Sequence, residues 1–512
     1  MLANILGQSG VRTLLIERRC ATVGEPRAVS IDDESLRTIQ SVMLHEEALK
    51  DIVPGYGVHY YTHPGGRCFA RVEPSAKPYG FHKRNAFRQP LLERTLLAGL
   101  HRYPCVQVRF DCELVDFYQD EQGVCATTRN AAGMLDKLQA AYLVGTDGGR
   151  SLVRKTIGAT LCGTSFTSRW VIVDTEEDDD SFWQTRVYCD ARRPVVDVPG
   201  PHRTRRFEFL LKPHESEGEA LSPAVLNGML RPFRGDRPTH IVRKTVYTFH
   251  ARVADRWRDC RVFIAGDAAH LTPPYAGQGM NSGIRDAHNL GWKLVAVLGR
   301  GFSNSLLDTY QTERRDHAWA LIKLALTLGI VMAPKSKASA ALSSGLLTLA
   351  AYIPPLRTYL MQMRFKPKPR FETGIVVRQD SNPLAGTMFP QPELQLPGQG
   401  NRLLDDLIGP YFCLIQLGGA QALTNLRLPI WKRLDVRRIH IVPKYCETSP
   451  ALPDGPILAQ DINSALAALF ASLPGKIVLL RPDRYVAAVF DLEEEAEIAW
   501  QLNVLLGPSS SS

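Results

Sequence analysis

Residues 266–294 read GDAAHLTPPYAGQGMNSGIRDAHNLGWKL, and this stretch decides the fold. It follows an apolar run at 261–265, which predicts a buried strand, and it leads into a long helix over about residues 281–298. A strand that ends in a carboxylate, followed by a small-residue turn and a helix N-terminus, suits a ligand that carries hydroxyl groups and negative charge. We therefore expect Asp267 to accept hydrogen bonds from hydroxyls. We also expect the free backbone N–H groups around 279–281 to stabilise negative charge that develops on a ring.

The beginning of the chain has the pattern of a related binding unit. Residues 1–9 are predicted to form a helix, and residues 11–16 form a β-branched and leucine-rich run that ends at Glu17. Helix, strand and terminal acid are the second half of a βαβ nucleotide-binding unit, in which the acid accepts hydrogen bonds from a ribose. The apolar strand and G-x-G-x-x-G turn that open such a unit do not precede the helix. We expect the central sheet to lack one strand, because of either a misplaced start or a real loss.

The 512 residues divide into several parts of an α/β protein. We predict a Rossmann-like domain, without its first strand, in two pieces at 1–164 and 251–365, the second including a helical region. Strand-forming residues at 165–250 predict an inserted β-sheet domain. A linker at 366–400 leads to a compact C-terminal α/β domain at 401–505.

Composition argues against several classes of function. Lys and Arg number 61 against 52 acidic residues, and the strongest basic cluster, at 202–206, has no repeated aromatic residues beside it. Nucleic acid is therefore not an expected partner, whereas an anionic small molecule fits the mild positive charge. The ten cysteines form no CxxC pair and no zinc-binding spacing with histidine, so we expect reduced thiols, no metal and a cytoplasmic location.

Two apolar stretches, at 318–333 and 338–354, are the candidates for membrane insertion. The first contains Lys323 and the second contains two serines and a glycine and ends in a proline pair. Both are shorter than the roughly 20 clean apolar residues that a membrane-spanning helix needs. We expect packing helices without stable membrane insertion. We also expect no export, because the sequence shows no basic segment followed by an apolar run and a cleavage site.

Three further motifs agree with the stretch at 266–294. Residues 147–154 read DGGRSLVR, Glu17 ends its strand, and Gln89 opens a helix after RNAF at 84–87. Together they resemble the flavoprotein aromatic hydroxylases, the FAD-dependent monooxygenases related to para-hydroxybenzoate hydroxylase and phenol hydroxylase. Further blocks are similar to the branch of that family that acts on 3-(3-hydroxyphenyl)propionate and 3-hydroxycinnamate. These blocks lie at 26–34, 66–70, 205–209, 307–317, 363–367 and 481–484.

The resemblance implies the cofactors and the reaction. NADH or NADPH would reduce FAD, and O2 would supply one oxygen atom to a phenolic acid, which becomes a catechol. The cofactor-binding residues that the resemblance implies are Glu17, Arg27, Gln89, Asp147, Gly148, Gly266, Asp267, Ala268, Ala269, Gly279, Met280 and Asn281. Two alternatives remain open: a hydroxylase of another phenol, such as a resorcinol or an alkylphenol, and a non-catalytic fragment that does not hold FAD.

Five residues are candidates for contact with the substrate or the reacting ring. By resemblance, Asp32 lies near the substrate hydroxyl and is a candidate base, although a helix-capping role explains its position equally well. His270 is a candidate proton shuttle or a structural residue, and Pro273 would pack near the flavin ring. By resemblance, the inserted domain at 165–250 binds substrate. Arg206 and Glu208 alternate along one of its predicted strands, so both could face the substrate, with Arg206 binding a carboxylate. A solvated sheet face is the competing interpretation for that pair.

The C-terminal domain resembles the thioredoxin-like extension of this branch. Cys413 and Cys446 are 33 positions apart and no CxxC motif exists, so thiol–disulfide exchange is disfavoured. We expect packing or the formation of a homodimer as the role of this domain.

Overall fold

The structure is a computed structural model that describes residues 1–237, 239–377, 383–419, 422–444 and 455–507. Its helices are α1 (Leu2–Gln8), α2 (Asp33–Ser41), α3 (His45–Leu49), α4 (Gln89–Leu100), α5 (Leu152–Thr156), α6 (Glu217–Ala220), α7 (Pro223–Arg234), α8 (Gly279–Arg300), α9 (Thr309–Met332), α10 (Lys337–Tyr352), α11 (Pro354–Met361), α12 (Leu404–Ile408), α13 (Pro429–Arg433), α14 (Ala467–Ser472) and α15 (Glu495–Leu506).

The strands of the N-terminal half are β1 (Thr13–Ile16), β2 (Ser30–Ile31), β3 (Ile52–Pro54), β4 (Val58–Tyr61), β5 (Cys68–Val72), β6 (Asn85–Phe87), β7 (Val106–Arg109), β8 (Cys112–Gln119), β9 (Val124–Asn130), β10 (Leu135–Ala140), β11 (Leu143–Gly145), β12 (Leu161–Glu176), β13 (Thr185–Tyr188), β14 (Val195–Pro199), β15 (Arg205–Leu211) and β16 (His240–Ala254). Those that follow are β17 (Arg258–Asp259), β18 (Val262–Ile264), β19 (His270–Leu271), β20 (Glu393–Leu396), β21 (Gly400–Leu403), β22 (Cys413–Leu417), β23 (Arg437–Pro443), β24 (Ile457–Asp461), β25 (Ile477–Leu480) and β26 (Val486–Phe490).

The Rossmann-like part contains two separate groups of strands. β1 pairs in parallel with β7, and β11 pairs in parallel with β18, which also carries β17. Helix α1 packs closely on α8, where a Cβ at Gly291 would lie 2.9 Å from Ile5 Cγ2. No described strand joins β1 to β11, as the sequence pattern predicts. The cavity described below extends between the two groups.

An eight-stranded sheet forms the second layer, in the order β19-β16-β12-β15-β14-β13-β4-β5. The range 165–250 covers most of this sheet but not all of it. Strands β4 and β5 come from residues 58–72, because β4 pairs in parallel with β13 and satisfies the backbone groups of its edge. The sheet is therefore built from two distant segments of the chain.

The two faces of this sheet have different roles, which strand alternation explains. Phe207 and Phe209 point to one face, where they pack with Leu226 and Leu230 of α7. Residues at alternate positions on β15 point to the opposite face. That opposite face is a wall of the cavity.

The C-terminal domain has a seven-stranded sheet in the order β21-β20-β24-β23-β22-β25-β26. β22 is parallel to β23 and antiparallel to β25, and β25 is antiparallel to β26. Four strands in the order β23-β22-β25-β26, followed by α15, have the arrangement of a thioredoxin fold, as the sequence indicates. Burial raises the pKa of the Cys413 thiol, which opposes formation of a reactive thiolate. Cys446 lies outside the described residues.

Buried ion pairs join the C-terminal domain to the rest of the molecule. Arg37 of α2 donates two hydrogen bonds to Asp405, at 2.7 and 2.8 Å, and Arg484 Nε lies 3.0 Å from the same carboxylate. Asp483 accepts a hydrogen bond from Trp292 Nε1 at 3.0 Å. Arg37 and Asp405 are 368 positions apart in sequence and Trp292 and Asp483 are 191 apart, and these contacts fix how the domain sits against α2 and α8.

No single helix in the described part of the chain is long and apolar enough to cross a membrane. Residues 304–332 and α10 reach the length and apolar composition of a membrane-spanning segment only when they are taken together, and the two helices are bent by 110° relative to each other.

Candidate active site

A cavity of about 1890 Å³ lies between the Rossmann-like part and the eight-stranded sheet. Its walls include the segments 27–30, 265–267 and 274–280, and residues of β4, β13, β14 and β15. Pockets for one small ligand typically measure roughly 300–1,000 Å³. The volume is therefore sufficient for a large cofactor together with a second molecule.

The turn at Gly266 is fixed from behind by helix α8. Gly266 has φ +59°, and a Cβ at Gly283 would lie 3.3 Å from its Cα, so both positions favour glycine. Asp286 Oδ2 accepts a hydrogen bond from Gly266 N at 3.0 Å and lies 2.8 Å from His270 Nε2. The other oxygen of Asp286 accepts a hydrogen bond from Arg314 Nε at 2.9 Å. This network positions the turn.

The buried charges of that network support a structural role for His270. Burial disfavours the charge of Asp286, but His270 and Arg314 overcome this effect and lower its pKa to about 2. The side chains of His270 and Asp286 are both 0% exposed. His270 is not among the described residues that line the cavity, and its contacts hold the turn.

Asp267 faces the cavity. Its carboxylate is accessible from within the cavity, although it lies far below the outer surface of the protein. Burial raises the pKa of Asp267, and the nearby His270 and Arg27 only partly oppose this effect. No hydrogen-bond donor among the described residues reaches this carboxylate. An unpartnered acid at the end of a strand is the acceptor that a polyhydroxylated ligand needs.

Helix α8 begins at the cavity with an open N-terminus. Among the described residues no side chain caps it, and the backbone N–H of Ser282 donates to the carbonyl of Gln278 at 2.9 Å. A Cβ at Gly279 would meet nothing within 4 Å, so the backbone there is open to a ligand. The exposed amides and the helix dipole together favour negative charge at this point.

The side chain of Asn281 positions this helix end. Its Oδ1 accepts hydrogen bonds from Asp32 N at 3.1 Å and Ser35 Oγ at 2.7 Å. Its Nδ2 donates to the carbonyls of Ser30 and Gly277, at 3.1 and 2.7 Å. The buried amide thus fastens α8 to α2 and to the segment 27–30, a role that the sequence motif did not reveal.

Gln89 acts in the same way on the segment 27–30. Its Oε1 accepts hydrogen bonds from the backbone N–H groups of Arg27, at 3.1 Å, and Ala28, at 2.8 Å. Arg27 and Gln89 both line the cavity. Glu17 ends β1 next to the lining residue Ile16, and its carboxylate accepts a hydrogen bond from Arg19 N at 3.0 Å.

Asp147 organises the second motif as a helix cap. It accepts hydrogen bonds from Ser151 Oγ at 2.5 Å and from Leu152 N at 2.7 Å. Arg154 then donates to the carbonyls of Gly149, at 2.7 Å, and Ala268, at 2.9 Å. The two motifs, about 120 residues apart, are therefore held together by one guanidinium.

Asp32 lies in a buried cluster of charges. Its Oδ1 caps α2 by accepting a hydrogen bond from Ser35 N at 2.9 Å. Its other oxygen contacts Arg285 and lies 3.0 Å from Lys366 Nζ, and the same two cations pair with Glu34. Burial disfavours ionisation of Asp32, but Arg285 and Lys366 lower its pKa overall. The structure thus shows the capping role.

Arg206 and Glu208 lie on the same face of β15 but differ in their partners. Arg206 donates to Asp174 Oδ1 at 2.7 Å and to the carbonyl of Arg27 at 2.7 Å, so its charge is already paired. Glu208 has no hydrogen-bond or ion-pair partner among the described residues, and burial raises its pKa. Glu208 is therefore the carboxyl group of this face that is free to contact a ligand.

The structure brings nine of the predicted residues to the cavity surface: Arg27, Gln89, Gly148, Arg206, Glu208, Gly266, Asp267, Gly279 and Met280. The others lie beside or behind that surface: Glu17, Asp32, Asp147, Ala268, Ala269, His270, Pro273 and Asn281. Pro274, the neighbour of Pro273, lines the cavity in its place. Their roles toward a ligand remain predictions.

Comparison with known proteins identifies the family. A family model described as an FAD binding domain matches residues 1–325, and one described as the HcaD C-terminal domain matches residues 386–504. The chain is 39% identical, over 494 residues, to the 3-(3-hydroxy-phenyl)propionate/3-hydroxycinnamic acid hydroxylase of Shigella sonnei (strain Ss046). That match covers 95% of this chain and 89% of the relative. This chain belongs to the FAD-dependent aromatic hydroxylases.

Other matches to this hydroxylase agree. The enzyme of the same description from Escherichia coli O81 (strain ED1a) is also 39% identical, with the same coverage. Among solved structures, the flavin-dependent monooxygenase PieE in complex with FAD and substrate has a TM-score of 0.81 at 21% identity, covering 99% of this chain and 96% of the other. Aklavinone-11 hydroxylase with FAD and aklavinone has a TM-score of 0.78 at 22% identity, over 99% of this chain and 96% of the other. At these identities the two structures establish the fold.

The residues at the cavity fit the cofactor of the family. The hydroxylase is a flavoprotein monooxygenase, a class whose usual electron donor is NAD(P)H. Bound FAD supplies the redox and oxygen chemistry that protein side chains lack. In this chain the Asp267 carboxylate, which no donor from the described residues contacts, suits the hydroxyl groups of FAD, and the open N-terminus of α8 suits negative charge on the flavin ring.

Proposed function

We propose that this chain converts 3-(3-hydroxyphenyl)propionate and 3-hydroxycinnamate to the corresponding catechols, by hydroxylation next to the existing hydroxyl. One oxygen atom of O2 enters the ring, the other leaves as water, and NADH or NADPH supplies the two electrons. The names of the relatives that are 39% identical support this substrate class. The observation that carries the proposal is the Glu208 carboxyl group, which has no partner in the described part of the chain and faces the same cavity as Asp267 and the start of α8.

We assign the substrate to the sheet side of the cavity. Tyr60, Val187, Val196 and Glu208 occupy one row across β4, β13, β14 and β15 and all line the cavity. Three of them provide aromatic or aliphatic surface for a ring, and the fourth provides a carboxylate. The wall thus combines apolar area with one polar group, as a phenol requires.

Glu208 is our first candidate for the group that accepts the proton of the phenol. A phenolate attacks an electrophilic oxygen better than a phenol, and a carboxylate whose pKa is raised is a stronger base than an exposed one. Asp32 is the alternative base, and Pro273 and His270 support the loop that holds the flavin. Arg206 positions the segment 27–30 through its bond to the Arg27 carbonyl.

The test uses the purified full chain supplied with FAD. Oxidation of NADH and of NADPH is followed with a panel of phenols, and catechol formation is quantified by chromatography. We expect 3-(3-hydroxyphenyl)propionate and 3-hydroxycinnamate to stimulate oxidation and to yield catechols. Coupled product from a resorcinol or an alkylphenol alone would assign a different substrate. Protein that shows no flavin absorbance after incubation with FAD would contradict the proposal altogether.

We further propose a cytoplasmic location and a homodimer. The nine cysteines in the described part of the chain are all unpaired, which fits a reducing compartment where NAD(P)H is available. Helix α10 exposes Leu342, Leu346 and Leu349 at helical spacing, which supports self-association through this stripe. Light scattering of the wild type and of Leu346→Glu tests the dimer, which we expect the charge to weaken.

A further inference from the structure

Arg84 is a cation of the substrate wall whose charge is not paired with any described carboxylate. It precedes β6 and lines the cavity, and it has no ion pair with a carboxylate among the described residues. Its guanidinium carbon lies 4.5 Å from the centre of the Tyr56 ring, and one nitrogen donates to the Tyr56 hydroxyl at 3.1 Å. Tyr56 itself is only 2% exposed, so the guanidinium rests on a rigid support.

The other cations near the substrate wall are already engaged. Arg206 pairs with Asp174, and Lys366 pairs with both Asp32 and Glu34. Arg27 lies toward the cofactor side, close enough to Asp267 to oppose the rise in its pKa. Arg84 is thus the cation on the sheet side that keeps donors free for an anion, within the described part of the chain.

We propose that Arg84, supported by the Tyr56 hydroxyl, binds the carboxylate of the aromatic acid substrate. This inference rests on the proposed function for its substrate class. A planar guanidinium presents paired N–H donors that match a carboxylate, and stacking on an aromatic ring holds that plane in one orientation. Arg84 therefore distinguishes acidic phenols from neutral ones.

The placement of Arg84 relative to Glu208 fits a molecule with polar groups at both ends. The charge of Arg84 acts on Tyr60, whose pKa burial nevertheless raises to about 12. Tyr60 and Glu208 are three strands apart in the same row, about 14 Å between backbones at the usual strand spacing. Side chains that project into the cavity shorten this span. The remaining space suits an aromatic ring with a short acidic chain, its carboxylate toward Arg84 and its hydroxyl toward Glu208.

The experiment separates recognition of the carboxylate from hydroxylation. The probes are 3-phenylpropionate, which has no phenol to react, and its primary amide, which has the same shape without the charge. Binding of each to the FAD-loaded enzyme is measured by equilibrium dialysis, for the wild type, Arg84→Met, Arg84→Lys and Tyr56→Phe. The control is Arg71→Met, which removes the same charge from an exposed position on β5 that does not line the cavity.

We expect Arg84→Met to weaken binding of the acid by roughly 10- to 100-fold, the range for a lost charge-assisted hydrogen bond, and to leave the amide unchanged. Arg84→Lys should recover part of the lost affinity for the acid, and Tyr56→Phe should cause a smaller loss than Arg84→Met. The control Arg71→Met should leave the affinity for both ligands unchanged. The KM for 3-(3-hydroxyphenyl)propionate should rise more than kcat falls. Equal losses of affinity for the acid and the amide in Arg84→Met, or equal binding of both by the wild type, would contradict the proposal that Arg84 binds the carboxylate. If the enzyme binds the acid selectively through Arg84 but forms no catechol, the proposed function is wrong and the role of Arg84 in carboxylate binding is retained.

Discussion

Arg481 and Glu313 form a doubly hydrogen-bonded ion pair, at 2.6 and 2.8 Å, in which neither side chain is exposed. Arg481 belongs to the turn after β25 in the C-terminal domain, and Glu313 belongs to α9. The same Glu313 carboxylate lies 2.7 Å from Lys293 Nζ of α8. Two domains thus share one buried carboxylate, and the charge of each partner depends on the others.

Arg481→Met should destabilise the folded chain by about 3–5 kcal/mol, because it leaves an ionised carboxylate buried with too few partners. Urea unfolding, with the free energy extrapolated to water, measures this loss. Arg402→Met is the matched control, since Arg402 is exposed on β21 and the same atoms are removed. A loss no larger than that of the control would contradict the structural role of the pair.

Asp33→Asn should stabilise the protein at alkaline pH. Burial raises the pKa of Asp33 to about 7, with further repulsion from Glu34 and Asp32 that Lys366 and Arg285 only partly oppose. The unfolded chain releases this proton near the ordinary pKa of 3.8, so the folded state loses stability as pH rises from there through about 7. The gain in melting temperature over the wild type should therefore grow between about pH 5 and pH 8.

Asp111→Asn, at an exposed turn, controls for the amide substitution itself. It should not show a gain that increases with pH. A constant difference between Asp33→Asn and the wild type across this range would argue against a raised pKa at Asp33.

Asp267→Asn should weaken FAD binding by roughly 10- to 100-fold, because the amide has one accepting oxygen instead of two and carries no negative charge. Titration of the apoprotein with FAD, followed by flavin fluorescence, gives the affinity. Asp236→Asn, on the exposed surface, should leave it unchanged. An unchanged Kd for Asp267→Asn would remove this residue from the cofactor site.

Glu208→Gln should lower the rate of catechol formation by about 100-fold or more, the usual effect of losing a general base. The acidic limb of the pH–rate profile should disappear. The stability of the folded protein should not fall, because the substitution removes a buried carboxyl group that has no partner among the described residues. Asp32→Asn is the comparison, and we expect it to destabilise the cluster around Arg285 without removing that limb. The opposite pattern would assign the base to Asp32.

The sequence predicts those features that depend on local pattern. The strand at 262–264, the turn at Gly266 and the start of α8 follow from one continuous stretch, and the inserted sheet follows from runs of strand formers. The thioredoxin-like topology follows from the resemblance. The family follows from the resemblance of the sequence motifs to those of the flavoprotein aromatic hydroxylases.

The remainder depends on pairings between distant residues, which local pattern does not encode. Alternation places Arg206 and Glu208 on one face, but it gives no sign that Asp174, 32 residues earlier, neutralises Arg206 and leaves Glu208 free. His270 follows the turn in sequence, yet its partner Asp286 and the cation Arg314 turn it into a buried support. Strands β4 and β5 were missed because their place in the sheet is set by β13, more than 100 residues later.

The cavity extends from Asp267 to the wall of β4, and no layer formed by the described residues divides it. With FAD and the aromatic acid placed as proposed, each ligand forms part of the other's binding surface. Occupation of one region changes the affinity of the other by a coupling free energy that is the same in both directions. The protein should bind FAD more tightly when the aromatic acid is present, and it should bind the aromatic acid more tightly when FAD is present. An affinity measured for either ligand alone therefore describes only half of a thermodynamic cycle.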